Sequence, residues 1–170
     1  VVLRGDVGRH RVDEVPERPH PHPRVDRRAC EPPDVGTPVE LDDTDRALDA
    51  LAQILEEDPT HVGALEARAL FEAWAGRYEA SASTYDALLA IAPDNGAVRR
   101  QQAQVLVWAS RFEASRALYD SLIERDPDDM ESRLGLANAL TFSDSLDAAI
   151  AEYDRVLNGR PDDVRALQGK

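Results

Sequence analysis

Cysteine is almost missing from this chain: Cys30 stands alone among 170 residues. No disulfide can form within the chain, and the redox state of its compartment is left open. Long apolar runs are missing too, none approaching the roughly 18 residues of a membrane-spanning helix. Val1 to Gly8 carry no basic region followed by an apolar run, so no secretory leader is read there. There is no glycine-rich phosphate loop, no pair of histidines on one helix, and no Ser or Cys with a suitable base. Asp and Glu abound, but scattered carboxylates without a pocket support no acid–base chemistry. The expectation is a chain that is not an enzyme and carries no cofactor.

Lysine is as scarce as cysteine, Lys170 being the single one among 20 basic residues, against 33 Asp and Glu and a formal net charge of -13. The bias towards Arg, Ala and Asp fits a GC-rich genome or a salt-adapted host. Residues 1–41 hold seven Arg and eight acids, whereas residues 42–170 hold 13 basic residues and 25 acids. A surface of that sign repels phosphate backbones and argues against nucleic acid as a partner, short of an acidic mimic of it. Residues 1–41 also hold seven of the eleven prolines and show neither a helical nor a strand period. Such a composition cannot bury enough apolar surface to offset ordering entropy, so a disordered Pro/Arg-rich arm is expected there. His20 and His22, with His10 and Cys30 nearby, are soft-metal ligands by type. The spacing of a structural zinc site is absent, so no metal site is expected.

What the chain does have is a period of 34 residues. Pro59, Pro93, Pro127 and Pro161 keep it, as do Trp74, Trp108 and Phe142, the tyrosines Tyr85, Tyr119 and Tyr153, and the small residues Ala69, Ala103 and Ala137. The acids Glu79, Glu113 and Asp147 fall in the same register. Several columns in one register imply stacked supersecondary units, each burying its apolar stripe against the next. Each unit reads as two helices. In the first, Val62 to about Ala75 is one helix, Gly76 breaks it, and Tyr78 to about Ile91 is the second, ending before Pro93. Short connections make the pair antiparallel. Ser110 and Glu113 read as a capping box for the second helix of the next unit. Asp94, Asp128 and Asp162 suit the positive ends of incoming first helices. Before the full units, Asp45 to Glu57 carries Leu48, Leu51, Ile54 and Leu55 at helical steps, a half-unit without a first helix.

This pattern resembles the tetratricopeptide repeats, whose 34-residue unit has small residues where its helices cross and a proline near its end. The third unit shows it best, in Leu136-Ala137-Asn138-Ala139-Leu140, Leu146-Asp147-Ala148-Ala149-Ile150, Tyr153, Val156 and Pro161. The resemblance implies an all-α, right-handed superhelical solenoid of antiparallel helix pairs. The expected division is an arm at 1–41, a half-unit at 42–61, full units at 62–95, 96–129 and 130–163, and the start of a fourth at 164–170. The chain is accordingly expected to be a fragment. Three departures stand out. The large residue expected at position four of a unit is Leu65 in the first but Arg99 and Arg133 later. The seventh is Leu136 only in the third, after Arg68 and Gln102. The residue closing the first helix is Gly76, then Ser110 and Asp144. The run Trp74-Ala75-Gly76-Arg77-Tyr78 is also similar to repeats of bacterial envelope proteins that precede an outer-membrane barrel or serve polysaccharide export.

At about 100° per residue, one face of the first helices should line the concave side of such an array. It comprises Glu66, Leu70, Ala73 and Trp74, then Arg100, Gln101, Gln104, Val107 and Trp108, then Glu131, Leu134, Asn138, Thr141 and Phe142. Aromatic rings give rigid contact area, and the amides suit an extended backbone. The expected function is a non-catalytic scaffold binding an extended peptide or partner protein in that groove. The alternative is an envelope component contacting polysaccharide during export or preceding a barrel, which makes glycan a possible partner. The compartment, periplasm, cell envelope or cytoplasm of a bacterium, stays open. Tyr85, Tyr119 and Tyr153 are assigned to packing between helices. Replacing Trp74 and Trp108 by Ala separates a groove from a packing role: lost binding with retained circular-dichroism helicity marks the former, melting the latter.

Overall fold

A computed structural model describes residues 41–170, and the arm expected over 1–41 lies, Leu41 apart, outside the described residues. Among the described residues there are eight helices and no strand: α1 (Leu41–Glu57), α2 (Val62–Trp74), α3 (Tyr78–Ile91), α4 (Gly96–Trp108), α5 (Phe112–Arg125), α6 (Met130–Phe142), α7 (Leu146–Gly159) and α8 (Val164–Gly169). Each element packs on its neighbour in sequence, and α4 meets α6 while α6 meets α8. The first helices thus form one layer of a solenoid and the second helices the other. The opening helix starts at Leu41, four residues earlier than its apolar pattern suggests.

The two ends of each helix pair are fixed by recurring local chemistry. At the end of α2, α4 and α6 the chain turns through a left-handed residue, Gly76 at φ 72°, Ser110 at 59° and Asp144 at 59°. The amides that follow, of Arg77, Arg111 and Ser145, bond back five residues to the carbonyls of Glu72, Leu106 and Leu140 at 2.8, 2.8 and 2.9 Å. That geometry satisfies orphan carbonyls at the helix end. Ser110 therefore closes α4 and does not cap α5, whose N-cap is Arg111 with no side-chain bond. The expected capping box with Glu113 is corrected accordingly. A Gly-to-Ser and Gly-to-Asp change at the turn leaves every helix boundary in register.

At the start of each first helix the cap is His61, Asn95, Asp129 or Asp163, one residue beyond Asp94, Asp128 and Asp162 in their columns. Each accepts a bond from the amide three residues on, of Ala64, Val98, Ser132 and Ala166, at 3.0 to 3.2 Å. Asp94 instead receives Arg125 at 2.7 Å across the unit boundary. Arg99 and Arg133, which replace the large residue at position four, donate to the carbonyls of Pro93 and Pro127 at 2.6 and 3.0 Å. They tie α4 and α6 to the turns preceding them, which accounts for the departure at position four.

Within a pair, the helices cross where Ala69, Ala103 and Ala137 are fully buried. Facing them are Ser81 and Ser115, also fully buried, whose hydroxyls donate to the carbonyls of Ala69 and Ala103 at 2.7 and 2.8 Å. Between pairs, apolar side chains merge into two clusters, one centred on Leu65, Tyr85, Leu88 and Leu106, the other on Tyr119, Leu136, Tyr153 and Val156. Tyr119 lies so close to α6 that a Cβ on Gly135 would fall 2.4 Å from its ring.

Two substitutions test this account by urea unfolding. Ser110→Gly or Asp144→Gly relieves a side chain held at positive φ and should raise stability by up to about 1 kcal/mol. Gly135→Ala forces the Tyr119 ring away and should lower it by about 1–3 kcal/mol.

Candidate functional site

The groove face expected from helical periodicity divides by exposure. Glu66, Leu70, Gln101 and Glu131 are exposed; Trp74, Arg100, Gln104, Trp108, Asn138, Thr141 and Phe142 are half-buried. Ala73 and Val107 are buried, so their placement as open groove surface is corrected; Leu134, also buried, still lines the cleft between α4 and α6. The face is wide because three first helices lie side by side, and small or apolar residues on it sink between them.

One open cleft of about 330 Å³ gathers six of the expected residues. Arg100, Gln101 and Gln104 come from α4, Glu131 and Asn138 from α6, with Leu134 and Gly135 between them; Tyr119 of α5 and Arg165 of α8 complete it. Gly135 matters because only a residue without Cβ lets the Tyr119 ring reach the cleft between α4 and α6. Gln104 contributes a buried Nε2 with no hydrogen-bond partner among the described residues. Asn138 has its Oδ1 engaged, since the Tyr153 hydroxyl donates to it at 2.8 Å. Thr141 donates to the Ala137 carbonyl at 2.9 Å, as mid-helix threonines commonly do.

The charged members are paired within the protein. Arg100 donates to Asp129 at 2.8 Å. Burial works to raise the Asp129 carboxyl, but bonds from the hydroxyl and amide of Ser132, together with Arg100, hold it below the usual carboxylate range. Glu131 takes both terminal nitrogens of Arg165 at 3.0 Å and Arg160 at 2.7 Å. Hydrogen bonds from Arg165 are the main reason that its pKa is lowered, burial opposing, with Arg160 adding to the effect. Tyr85, in the preceding unit, is pushed up to about 12 by burial and then by the charge of Glu66.

The aromatic column lies elsewhere. Trp74 meets Phe71 edge to face at 5.3 Å, and its buried indole nitrogen has no partner among the described residues. Trp108 sits 6.0 Å from Tyr78 and packs against the first core cluster. Neither these rings nor Phe142 line the cleft. Tyr119, Tyr153 and Arg165 are the residues that periodicity missed. The tyrosine rings are packed as expected, but a buried phenol requires a partner for its hydroxyl, which was a signal towards Asn138. Arg165 stands one full repeat after Glu131, and that was the signal for it. Among the described residues no group of His, Cys, Asp or Glu could hold a metal ion, and no helix is long and apolar enough to cross a membrane. His10, His20, His22 and Cys30 lie outside the described residues.

A sequence profile described as tetratricopeptide repeat matches residues 39–96 and 100–164. The chain belongs to the tetratricopeptide repeat family. Solved tetratricopeptide structures share the fold. A repeat protein from Parabacteroides merdae superposes with a TM-score of 0.68 at 18% identity, over 74% of this chain and 49% of that one. MamA from Desulfovibrio magneticus does so with 0.63 at 18%, over 72% and 70%. YrrB, described as a TPR protein with an unusual peptide-binding site, gives 0.60 at 19%, over 76% and 66%. No curated protein sequence matches. As a tetratricopeptide array the chain is a protein-interaction scaffold.

The paired acids make a pH prediction. Both Asp129 and Glu131 have folded values below their ordinary 3.8 and 4.5, so their stabilisation is fully present above those values and is lost as pH falls through the folded ones. Glu131→Gln should therefore lower the thermal midpoint slightly at neutral pH and flatten its fall below about pH 4.5, the effect staying small because the pair is half-exposed.

Proposed function

We propose that this chain is a non-catalytic scaffold that holds an extended peptide, or an extended segment of a partner protein, along the face formed by α2, α4 and α6. The observation that carries this reading is the cleft between α4 and α6, where Gln101, Gln104 and Asn138 converge over a floor of Leu134 and Gly135. A shallow, open trough of polar groups above an apolar floor suits a chain laid lengthwise: apolar side chains fill the floor and the amides pair with the backbone. A buried amide without a partner gains more from such a ligand than an amide already hydrated. Glu66 and Leu70 extend the same face towards the first unit. Trp74, Trp108 and Phe142, half-buried at the far ends of the first helices, border it as rigid apolar contacts. YrrB, which shares the fold, has a peptide-binding site, and that is in keeping with this reading.

Selection from a displayed peptide library, followed by calorimetric titration of the winning peptide, tests the proposal. Gln101→Ala with Asn138→Ala should weaken binding at least about tenfold, roughly 1.4 kcal/mol, while far-ultraviolet circular dichroism is unchanged. Selection of no peptide, with binding of bacterial polysaccharide in its place, would overturn it.

A further inference from the structure

We infer that the stretch from Pro32 to Pro38 of this chain lies extended against the uncovered side of α2, in the place that a preceding first helix would fill. The inference does not rest on the peptide reading of the cleft between α4 and α6. Four observations carry it.

First, α2 has an apolar flank that its counterparts do not leave open. Val105 and Ala139, one and two repeats after Phe71, are 2% and 1% exposed, whereas Phe71 is half-buried and the adjoining Leu70 is 36% exposed. In the layer of first helices α6 lies against α4, and among the described residues no first helix precedes α2.

Second, the same flank holds an unanswered donor. Trp74 Nε1 is buried with no hydrogen-bond partner among the described residues. An indole N–H can only donate, so a backbone carbonyl is the kind of group that satisfies it. The Trp74 ring stands edge to face with Phe71 at 5.3 Å, which makes an aromatic corner beside that donor.

Third, the repeat interval puts a proline-rich stretch where the covering helix would be. One period of 34 residues before α2 falls the segment 28–40, with Pro32, Pro33 and Pro38 inside it. Proline lacks the amide and clashes with the preceding turn, so these residues do not build a helix there. They favour the polyproline II form, whose carbonyls have no internal partner and which seats on aromatic surfaces at little entropic cost. A segment too poor in apolar residues to build its own core still gains by lying on a flank already formed.

Fourth, position and length agree. Arg77 donates to Asp45 at 2.6 Å, which fixes the start of α1 beside the end of α2 where Trp74 stands. Only Val39 and Glu40 separate Pro38 from Leu41, so Pro38 is held within about 11 Å of the first residue of α1. The 13 residues of α2 run about 20 Å, and a polyproline II stretch from Pro32 to Pro38 spans about 22 Å. Such a tether gives a local concentration of about millimolar, so modest contacts suffice.

The full chain, labelled with nitrogen-15, provides the test by nuclear magnetic resonance, the Trp74 indole N–H signal being the one lost in Trp74→Phe. Pro32→Asp, Pro33→Asp and Pro38→Asp together leave residues 41–170 untouched and should not change far-ultraviolet circular dichroism. The Trp74 indole proton should then exchange with water at least about tenfold faster, whereas Pro19→Asp, Pro21→Asp and Pro23→Asp together should keep it within about twofold. A nitroxide on Cys30, the single cysteine, should broaden the amides of Val62 to Leu65 at the start of α2, since the stretch runs back from Trp74 towards that end. Exchange unchanged by the first triple substitution, or accelerated equally by both, overturns the inference. So does exchange that varies with protein concentration, which puts a second copy on α2 in place of the arm, and so does a nitroxide whose broadening is confined to the start of α1.

Discussion

Ala69, Ala103 and Ala137 leave no surface to water at all, and what sits opposite them is a serine or another alanine. With nothing larger than a hydroxyl between them, the two helices of each pair approach until Ser81 and Ser115 bond the opposing backbone. That approach sets the separation and angle within a pair, because close-packed interiors transmit a change of even one methylene group. Everything else scales from it. A pair so held exposes one continuous apolar flank, and only the next pair can cover it, so the 34-residue interval becomes a translation in space. The first helices line up in one layer as a consequence, and the cleft between α4 and α6 is the gap that this layer leaves.

Polar groups then settle how the pairs are joined. Arg77 reaches Asp45, Arg111 reaches Glu79, Arg125 reaches Asp94 and Arg160 reaches Glu131, each partner about one repeat away. All four pairs are substantially exposed, and exposed pairs stabilise by about 1 kcal/mol at most. Burial of Tyr85, Tyr119 and Tyr153 between pairs outweighs them, since each ring brings an area that no surface ion pair matches. The ion pairs have a different effect. They consume arginine that would otherwise be available to anions, and they leave the acid surplus of the chain uncompensated on its surface.

The fold was legible from residues whose role is packing, because packing residues must recur wherever the geometry recurs. Pro59, Pro93, Pro127 and Pro161 marked the turns, and helices α2, α4 and α6 begin one repeat apart at Val62, Gly96 and Met130. Misreadings occurred where one residue type serves two purposes. Serine before a helix is a good cap, but at Ser110 the backbone needed a left-handed residue first, and the cap chemistry was never engaged. The aspartates after proline stand just before the incoming helices as expected, and the capping oxygen sits one residue later, on Asn95, Asp129 and Asp163. For the cleft, angular position on a helix found Arg100, Gln101, Gln104, Glu131, Leu134 and Asn138, since all lie on first helices. It could not find Tyr119 and Arg165, which enter from a second helix and from the following unit. Periodicity within a helix does not report which residue of another helix fills the gap opposite, and here that gap exists only because Gly135 lacks a side chain.

Glycine at that position is where helix packing and the cleft meet. Ala67 and Gln101 stand at the same place in the preceding units, so Gly135 is a local departure from the repeat. Glycine inside a helix costs about 1 kcal/mol relative to alanine. The offsetting gain is the Tyr119 ring, which packs against the α6 backbone and brings one edge to the cleft. The same arrangement returns one unit on, where Tyr153 packs against Gly169 and bonds Asn138. A tyrosine seated on glycine thus carries the position of the second helix through to the groove face, orienting an amide that lies on another helix. Asn138 on the cleft and Tyr153 in the packing between helices are joined by one hydrogen bond, so the placing of the second helix bears on the amide that the cleft presents.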